Sequence, residues 1–213
     1  GYLPAAVLNY LLLLGWAPEG EQEIFNLDEM IRIWDPARIS KSPAIFDPLK
    51  LRAINAAYIR ALPAEEFRRL ADPFIDQAVH REIDRDLLCA NLQPRCEVLE
   101  DIPPQLDFFD AALPFDAELY RNKKQKTTPE SAKEALEALL PVLEGEADWN
   151  RDAIFEVCRK KAEEMEKKNG WLLYPLGIAL SGKSRTPGGG TDLAAMLGKE
   201  ETLARLRAAL AAL

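Results

Sequence analysis

One segment of the chain matches a nucleotide-binding motif. Gly177 and Gly182, followed by Lys183 and Ser184, have the G-x-x-x-x-G-K-[ST] spacing of a P-loop, in which backbone N–H groups and the lysine hold phosphates. Three of the four residues between the glycines are apolar, and a tyrosine–proline pair rather than a β-strand comes before them. The sequence therefore predicts no ATP site here.

The other candidates for catalysis are a lone histidine and neighbouring carboxylates. His80 is interpreted as a structural residue on a helix, since no partner at catalytic spacing accompanies it. The pairs Glu65–Glu66 and Glu163–Glu164 are adjacent in sequence, so on helices their side chains point in different directions and do not share a substrate. We predict no catalytic residues.

Cysteine usage and hydropathy indicate the setting of the protein. Cys89, Cys96 and Cys158 are odd in number and lack a C-x-x-C spacing, which favours neither disulfides nor a metal site. The apolar run 10–15 is too short to span a bilayer and follows no basic residue, so it predicts a buried helix. We expect a reduced, cytoplasmic setting and no membrane. The absence of an initiator methionine suggests an excised fragment.

Helical periodicity and capping residues dominate the chain. Asn26, Asp47 and Thr128 each stand where a side chain can cap a helix, and Asn169 with Gly170 is predicted to end one. Short helices broken at Pro114 are expected within 106–120. The main predicted helices span residues 4–15, 27–34, 48–60, 64–70, 73–91, 129–143, 151–168, 192–197 and 199–213. This pattern predicts an all-α fold, a helical bundle or cage of two to three packed subdomains.

Charge leaves the class of partner open. The net charge of -8 argues against nucleic acid, because phosphate binding depends on basic surface. Two segments are locally positive. Residues 32–60 contain six basic and two acidic side chains, and residues 171–213 contain five basic and three acidic ones. An RNA-binding domain and an acidic helical module that binds another protein both remain possible.

The N-terminal sixty residues closely resemble a known family. Their order and spacing are similar to the segment that follows the KMSKS-type loop in bacterial-type glutamyl-tRNA synthetases. The matching positions are 1–4, 9–11, 14–16, 23–25, 38–47, 51, 55 and 58–60, with weaker similarity at 92–95, 175–176, 179–182, 186–188 and 197–200. The chain is thus similar to the C-terminal, tRNA-reading half of that family of class I aminoacyl-tRNA synthetases.

The resemblance implies an organisation and a partner. It implies a stem-contact helical domain over 1–62 and an α-helical anticodon-binding region in two halves, 63–128 and 129–213. The HIGH and KMSKS motifs are absent from the chain, so we expect no aminoacylation by it and assign ATP and Mg to a separate catalytic domain. The implied partners are tRNA, specifically tRNA(Glu), and the catalytic domain of the same chain; we expect a monomer.

Site residues also follow from the resemblance. Arg95 matches an arginine that reads an anticodon base, and a guanidinium offers a planar donor fork for that purpose. The loop of Thr186, Pro187 and Gly188 is expected to present exposed backbone to the anticodon, with Tyr174 stacking on a base. The expected contacts to the tRNA backbone are Arg38, Lys41, Arg52, Arg60, Lys183 and Arg185.

Two departures weaken the match at the anticodon end. Gly177 stands where family members often carry an arginine, and the run 188–190 consists of glycines where larger apolar residues are common. These differences motivate the alternative interpretation, an acidic helical protein-interaction module that has lost tRNA reading. The two interpretations differ in their salt dependence, since RNA binding weakens steeply as ionic strength rises.

Overall fold

A computed structural model describes residues 1–41 and 43–213. Ser42, which belongs to the stretch 38–47 that carries part of the resemblance, lies outside the described residues. The α-helices are α1 (Pro4–Gly15), α2 (Leu27–Ile33), α3 (Pro48–Ala61), α4 (Ala64–Ile75), α5 (Arg85–Leu92), α6 (Pro129–Gly145), α7 (Arg151–Glu164), α8 (Asn169–Ser181), α9 (Gly190–Leu197) and α10 (Lys199–Ala212).

The predicted all-α fold is confirmed. Across the described residues, β-type pairing is limited to two isolated bridges, Trp16 with Ile39 and Asn122 with Thr127. None of the helices in this described part is both long and apolar enough to cross a membrane.

Side-chain caps set several helix starts where the sequence predicts them. Asn26 Oδ1 accepts from the backbone N–H of Glu29 at 2.9 Å, in a reciprocal capping box. Asp47 caps α3 by accepting from the backbone N–H groups of Leu49 and Lys50, directly before Pro48 at the first helical position. Thr128 caps α6. Each cap satisfies N–H groups that a helix start leaves without an intrahelical partner.

The chain divides into two compact units. Unit 1 comprises Gly1–Phe74 and Leu92–Ile102, and unit 2 comprises Ile75–Asn91 and Pro103–Leu213. The boundaries at 62 and 128 expected from the resemblance remain predictions.

Buried asparagines organise unit 1, in which α1 packs on α3. Asn55 Oδ1 accepts from the N–H of Leu3 at 2.8 Å, and its Nδ2 donates to the carbonyl of Glu97 at 2.5 Å. Asn9 Oδ1 accepts from the N–H of Phe25 at 2.8 Å. Both asparagines are fully buried, so these bonds meet the requirement that buried polar groups be paired. Asn9 and Asn55, two positions that carry the family resemblance, therefore hold loop backbone against helices α1 and α3 by hydrogen bonds.

Helix α8 is the centre of unit 2. It packs against α6, α7, α9 and α10, and its residues Leu172, Leu176 and Leu180 are buried. A helix surrounded by others needs apolar residues on every face, which explains why this segment lacks an exposed polar stripe. At its end Gly182 adopts φ +66°, the left-handed conformation that a helix C-cap favours.

The predicted helix over 73–91 is wrong. Helix α4 continues through Pro73 to Ile75, and α5 begins only at Arg85, where Asp84 Oδ1 accepts from the N–H of Leu87 at 2.9 Å. Residues 76–78 form a turn and residues 79–84 are irregular, so His80 lies outside any helix. Its backbone N–H donates to Asp110 Oδ1 at 2.9 Å. In a continuous helix the His80 N–H would instead donate to a backbone carbonyl four residues earlier.

Two further helix boundaries differ from the prediction. Helix α7 ends at Glu164 because Glu166 takes a left-handed φ of 54° and Lys167 N–H donates to the carbonyl of Ala162 at 2.9 Å, a Schellman-type ending. Asn169 therefore begins α8 and does not end α7. Within 106–120 only the 3₁₀ turn Ala117–Tyr120 forms.

Candidate nucleic-acid interface

Arg95 is displayed on an exposed 3₁₀ turn, Gln93–Arg95, of unit 1. Leu92 and Cys96 on either side are buried, and burial raises the pKa of the Cys96 thiol to about 12. Gln93 Nε2 donates to the carbonyls of Ile59 at 3.0 Å and Leu62 at 2.8 Å, which ties the turn to the end of α3. The turn is therefore anchored on both sides, and Arg95 within it is an exposed residue.

Arg52 on α3 is engaged within unit 1. Its Nε lies 2.9 Å from Glu97 Oε2, and its Nη2 pairs with Asp101. The hydrogen bonds that Arg52 donates to these two carboxylates raise the pKa of Arg52 above its ordinary value. A phosphate would have to displace both carboxylates to reach this guanidinium.

The remaining basic residues of the 32–60 stretch divide into paired and unpaired groups. Arg38 Nη1 lies 2.8 Å from Glu19 Oε1, and Lys50 pairs with Glu23 at 2.5 Å. Arg32, Lys41 and Arg60 are exposed, and none of them forms an ion pair within the described part of unit 1. The local positive balance seen in sequence is thus partly neutralised by acidic residues from elsewhere in the unit.

The P-loop-like segment of unit 2 is the end of a helix. Ser181 Oγ donates to the carbonyl of Gly177 at 2.7 Å and accepts from Lys183 N–H at 3.1 Å, around the left-handed Gly182. A P-loop places phosphate at a helix N-terminus, whereas this segment presents C-terminal carbonyls, which repel anions. Its geometry opposes phosphate binding in the P-loop manner.

The expectation of exposed backbone at 186–188 is wrong. Pro187 and Gly188 are buried and Thr186 is half-buried, while Gly189 is exposed. Thr186 Oγ1 donates to the carbonyl of Gly188 at 2.6 Å, so the loop folds on itself. Among these residues Thr186 and Gly189 are the ones a nucleotide can reach without rearrangement.

Asp192, only 8% exposed, fixes this loop from the start of α9. Its Oδ2 accepts from the N–H of Gly189 at 2.7 Å, and its Oδ1 lies 2.9 Å from Arg151 Nε. A Cβ atom on Gly188 would come within 2.6 Å of Asp192 Cβ. The glycine is therefore required by packing against the residue that holds the loop.

Tyr174 and Gly177 serve packing in this structure. Tyr174 is half-buried, and its hydroxyl donates to the carbonyl of Leu119 at 2.8 Å. Gly177 faces Gly190 across the α8–α9 contact, where a Cβ atom on Gly177 would lie 3.7 Å from the Gly190 Cα. Gly177 and the glycine run 188–190, the two departures from the family pattern, therefore lie together where α8 and α9 pack closely.

The basic residues predicted near this loop differ in availability. Lys183 Nζ donates to the carbonyl of Pro104 at 2.7 Å and pairs with Asp107. Arg185 is exposed. Thr186 belongs to unit 2 and Arg95 to unit 1, so the predicted anticodon contacts are distributed over both units.

The structure also gathers a lysine cluster that sequence reasoning missed. Two turns of unit 2, one before α6 and one between α7 and α8, line a cavity of about 390 Å³. Its lining residues are Lys124, Gln125, Lys126, Glu166, Lys167, Lys168 and Trp171. We call this the lysine groove. In the sequence, the lysine pairs at 123–124 and 167–168 were the available sign of this groove. That the two segments lie side by side depends on tertiary packing.

Two family models together match nearly the whole length of the chain. Residues 56–210 match the anticodon binding domain, and residues 1–53 match the catalytic domain of class I tRNA synthetases (E and Q).

Relatives of known name are similar over nearly all of the chain. The glutamate–tRNA ligase of Clostridium botulinum (strain Hall) is 45% identical over 207 residues, which cover 97% of this chain and 43% of that protein. The corresponding enzyme of Clostridium acetobutylicum is 43% identical over 208 residues, with the same coverage. The chain thus spans less than half the length of these relatives.

Solved structures give the same result. A glutamate tRNA ligase from Elizabethkingia meningosepticum, crystallised with its amino acid, superimposes with a TM-score of 0.83 at 28% identity, covering 99% of this chain and 41% of that one. The glutamate–tRNA synthetase of Elizabethkingia anophelis superimposes with a TM-score of 0.79 at 26% identity, covering 99% of this chain and 41% of that one.

Proposed function

Because the chain belongs to the anticodon binding domain family, we propose that it is the tRNA-binding part of a glutamate–tRNA ligase. It recognises the anticodon and the inner bend of tRNA(Glu), so that a catalytic domain of the same protein can attach glutamate using ATP. The observation that carries this proposal is the anticodon binding domain match over residues 56–210, which includes nearly all of unit 2 and part of unit 1. The side-chain geometry then supports particular contacts.

Arg95 is the base-reading residue in this proposal. Its turn is anchored through Gln93, and an anchored guanidinium loses less freedom when it pairs with a base edge. Unstacked loop bases are the part of RNA that proteins read most readily. In unit 2, Thr186 is half-buried, and it is the residue of the predicted 186–188 loop that a nucleotide can reach.

Backbone contacts fall to the cations that hold no carboxylate. Among the backbone contacts predicted from the sequence, these are Lys41 and Arg60 in unit 1 and Arg185 in unit 2, all exposed. Arg38, Arg52 and Lys183 already pair with acidic residues, so they contribute less to phosphate binding. A chain with a net charge of -8 can therefore bind RNA through a few unpaired cations.

The surface of unit 1 supports a catalytic domain as second partner. Of the eleven large apolar side chains that are exposed among the described residues, ten precede residue 50. Ile45 is 88% exposed and Leu49 is 77% exposed. Clustered exposure of this kind marks surfaces that another protein part covers. The relatives are more than twice as long as this chain, and their additional length supplies such a part.

Three further properties belong to the proposal. The chain by itself does not form glutamyl-tRNA, because the motifs that hold ATP and activate the amino acid in this family are missing from it. The complete protein works as a monomer in the cytoplasm. ATP and Mg bind the catalytic domain and not this chain.

Direct binding tests the proposal. We expect the 213-residue chain to bind a fluorescently labelled tRNA(Glu) transcript more tightly than an unrelated tRNA at moderate salt, with affinity falling steeply as salt rises. An affinity that is equal for both tRNAs would contradict anticodon recognition. An affinity for tRNA(Glu) that is independent of salt would contradict phosphate contacts.

A further inference from the structure

The lysine groove is a second surface of unit 2 that suits RNA. We propose that it binds phosphates of the tRNA backbone, away from the bases that the 186–189 loop meets. This inference rests on the proposed function, because it takes the bound polyanion to be tRNA. None of the residues expected to contact tRNA from the sequence lies in this groove.

The groove concentrates positive charge in an otherwise acidic protein. Four lysines and one glutamate line it, and in the described structure Lys124, Lys126 and Lys168 form no ion pair. Neighbouring carboxylates of α7 are already neutralised: Glu163 pairs with Arg159, and Glu164 lies 3.0 Å from Lys161. The lysines of the groove therefore keep their charge available for a ligand.

The turn before α6 is rigidly built. Asn122 and Thr127 exchange backbone hydrogen bonds of 3.0 and 3.1 Å, and Thr127 Oγ1 donates to the carbonyl of Tyr120 at 2.7 Å. Gln125 lies against Gly170, in the first turn of α8. These contacts hold the lysine-bearing turn beside the start of α8.

Both turns contain a residue in an unusual conformation. Lys126 and Glu166 adopt φ values of 57° and 54°, the left-handed region that non-glycine residues seldom occupy. Such backbone persists only where surrounding contacts determine it, and it is concentrated at ligand sites and turns. The backbone of both lysine-bearing turns is therefore fixed before a ligand arrives.

The chemistry of the groove favours phosphate over bases. Lysine ammonium groups act as compact point charges, whereas base reading relies on planar or bidentate groups. The one aromatic side chain in the lining, Trp171, is 7% exposed, and the Lys167 ammonium lies 4.9 Å from the centre of its ring. Its ring is therefore closed to base stacking, which leaves charge as the basis of recognition.

Helix α8 relates the groove to the predicted anticodon loop. The groove lies at the start of α8, and the loop begins after its last residue, Ser181. A helix of 13 residues is about 20 Å long. The two surfaces are therefore separated by a fixed distance on one rigid element, so a single tRNA can reach both while the groove meets phosphates remote from the bases read by the loop.

Paired charge-removal variants test the inference. Lys124→Gln/Lys168→Gln removes two exposed lysines of the groove, and Lys133→Gln/Lys160→Gln removes two exposed lysines from α6 and α7 as a control of equal charge. Binding of labelled tRNA(Glu) and of an unrelated tRNA is measured across a salt series. Thermal melting followed by circular dichroism confirms that the variants are folded.

We expect the groove variant to weaken binding to both tRNAs by on the order of tenfold at about 0.1 M salt, and to lower the slope of log affinity against log salt by about 1.5. The control is expected to leave the slope unchanged, and Lys124→Arg/Lys168→Arg to retain wild-type binding. Equal behaviour of the groove variant and the control overturns the inference and leaves the proposed function standing.

Two other outcomes are also decisive. Failure of the wild-type chain to bind either tRNA overturns the proposed function and this inference with it. Unchanged tRNA affinity, together with polyglutamate binding that is lost in Lys124→Gln/Lys168→Gln, would assign the groove to an acidic protein segment and overturn RNA binding there.

Discussion

Arg205 Nη1 donates to the carbonyl of Leu180 at 2.6 Å, so a side chain of the last helix satisfies the C-terminal end of α8. The same nitrogen donates to the carbonyl of Phe108 at 2.7 Å, and Nη2 donates to that of Phe109 at 3.1 Å. Nε pairs with Glu201 at 2.6 Å. Arg205 is only 4% exposed, which makes it a buried structural cation of unit 2 and not an RNA ligand.

Replacement of Arg205 by methionine is therefore expected to destabilise unit 2. Arg205→Met keeps the apolar volume but leaves the carbonyls of Leu180 and Phe108 without this donor, and leaves Phe109 and Glu201 with only their longer contacts to Arg81, at a cost of about 3 kcal/mol. Urea denaturation measures the loss. Arg207→Ala, which removes an exposed pair with Glu144, should cost no more than about 1 kcal/mol. Equal losses in the two variants would contradict the structural role of Arg205.

Adjacent glycines of the 188–190 loop should differ sharply in their tolerance of alanine. Gly188→Ala places a Cβ atom 2.6 Å from Asp192 Cβ, whereas on Gly189 the nearest atom is Asp192 Oδ2 at 3.4 Å. We expect Gly188→Ala to lower the free energy of unfolding by about 1–3 kcal/mol, as overpacking does, and Gly189→Ala to change it little. Thermal or urea unfolding distinguishes them, and a tolerated Gly188→Ala would contradict the described packing.

The contact between His80 and Asp110 predicts a pH dependence. Hydrogen bonds from the backbone N–H and ring of His80 hold the pKa of Asp110 below its usual 3.8. A carboxyl with a lowered folded-state pKa stabilises the fold fully above its ordinary pKa, and loses that contribution as pH falls through the lowered value. Asp110→Asn should therefore be less stable than wild type at pH 7, with a difference that shrinks below pH 3.8.

Urea denaturation of wild type and Asp110→Asn at several pH values measures this difference. Asp148→Asn, at another exposed aspartate, serves as the control and should show no such trend. A difference between wild type and Asp110→Asn that is constant with pH would contradict the role of the carboxylate charge.

Local sequence signals predicted the starts of helices more reliably than their ends. The caps at Asn26, Asp47 and Thr128 act on N–H groups two or three residues away, so the information lies within a few residues. The end of α7 was misplaced because Glu166, and not a glycine, takes the left-handed position. The break around His80 depends on Asp110, thirty residues away, and no local pattern reveals it.

At the candidate site, too, sequence patterns predicted some features, while others depend on tertiary packing. Arg95 was singled out by the family resemblance of residues 92–95, and the structure places it exposed in a turn between the buried Leu92 and Cys96. The pairing of Arg52 with Glu97 and Asp101, and the burial of Gly188, depend on tertiary packing. Long-range charge pairing therefore decides which basic residues stay available for RNA.

Arg52 and Arg60, both on α3, should respond differently to substitution. Arg60 is exposed and Arg52 is held by two carboxylates. Arg60→Ala should weaken tRNA binding by roughly threefold to fivefold and lower the salt slope by about 0.7–0.9, as loss of one phosphate contact does. Arg52→Ala should leave the slope unchanged and lower the free energy of unfolding by about 1 kcal/mol. The reverse pattern would make Arg52 the phosphate ligand.

The most direct test of anticodon recognition compares tRNA(Glu) with transcripts altered at single anticodon bases. The wild-type chain is expected to bind at least one altered transcript on the order of tenfold more weakly, and Arg95→Ala to abolish that difference. Arg69→Ala, at another exposed arginine of unit 1, is expected to preserve it. Equal binding of every transcript by wild type, or discrimination that persists in Arg95→Ala, would contradict the assignment of anticodon reading to this chain through Arg95.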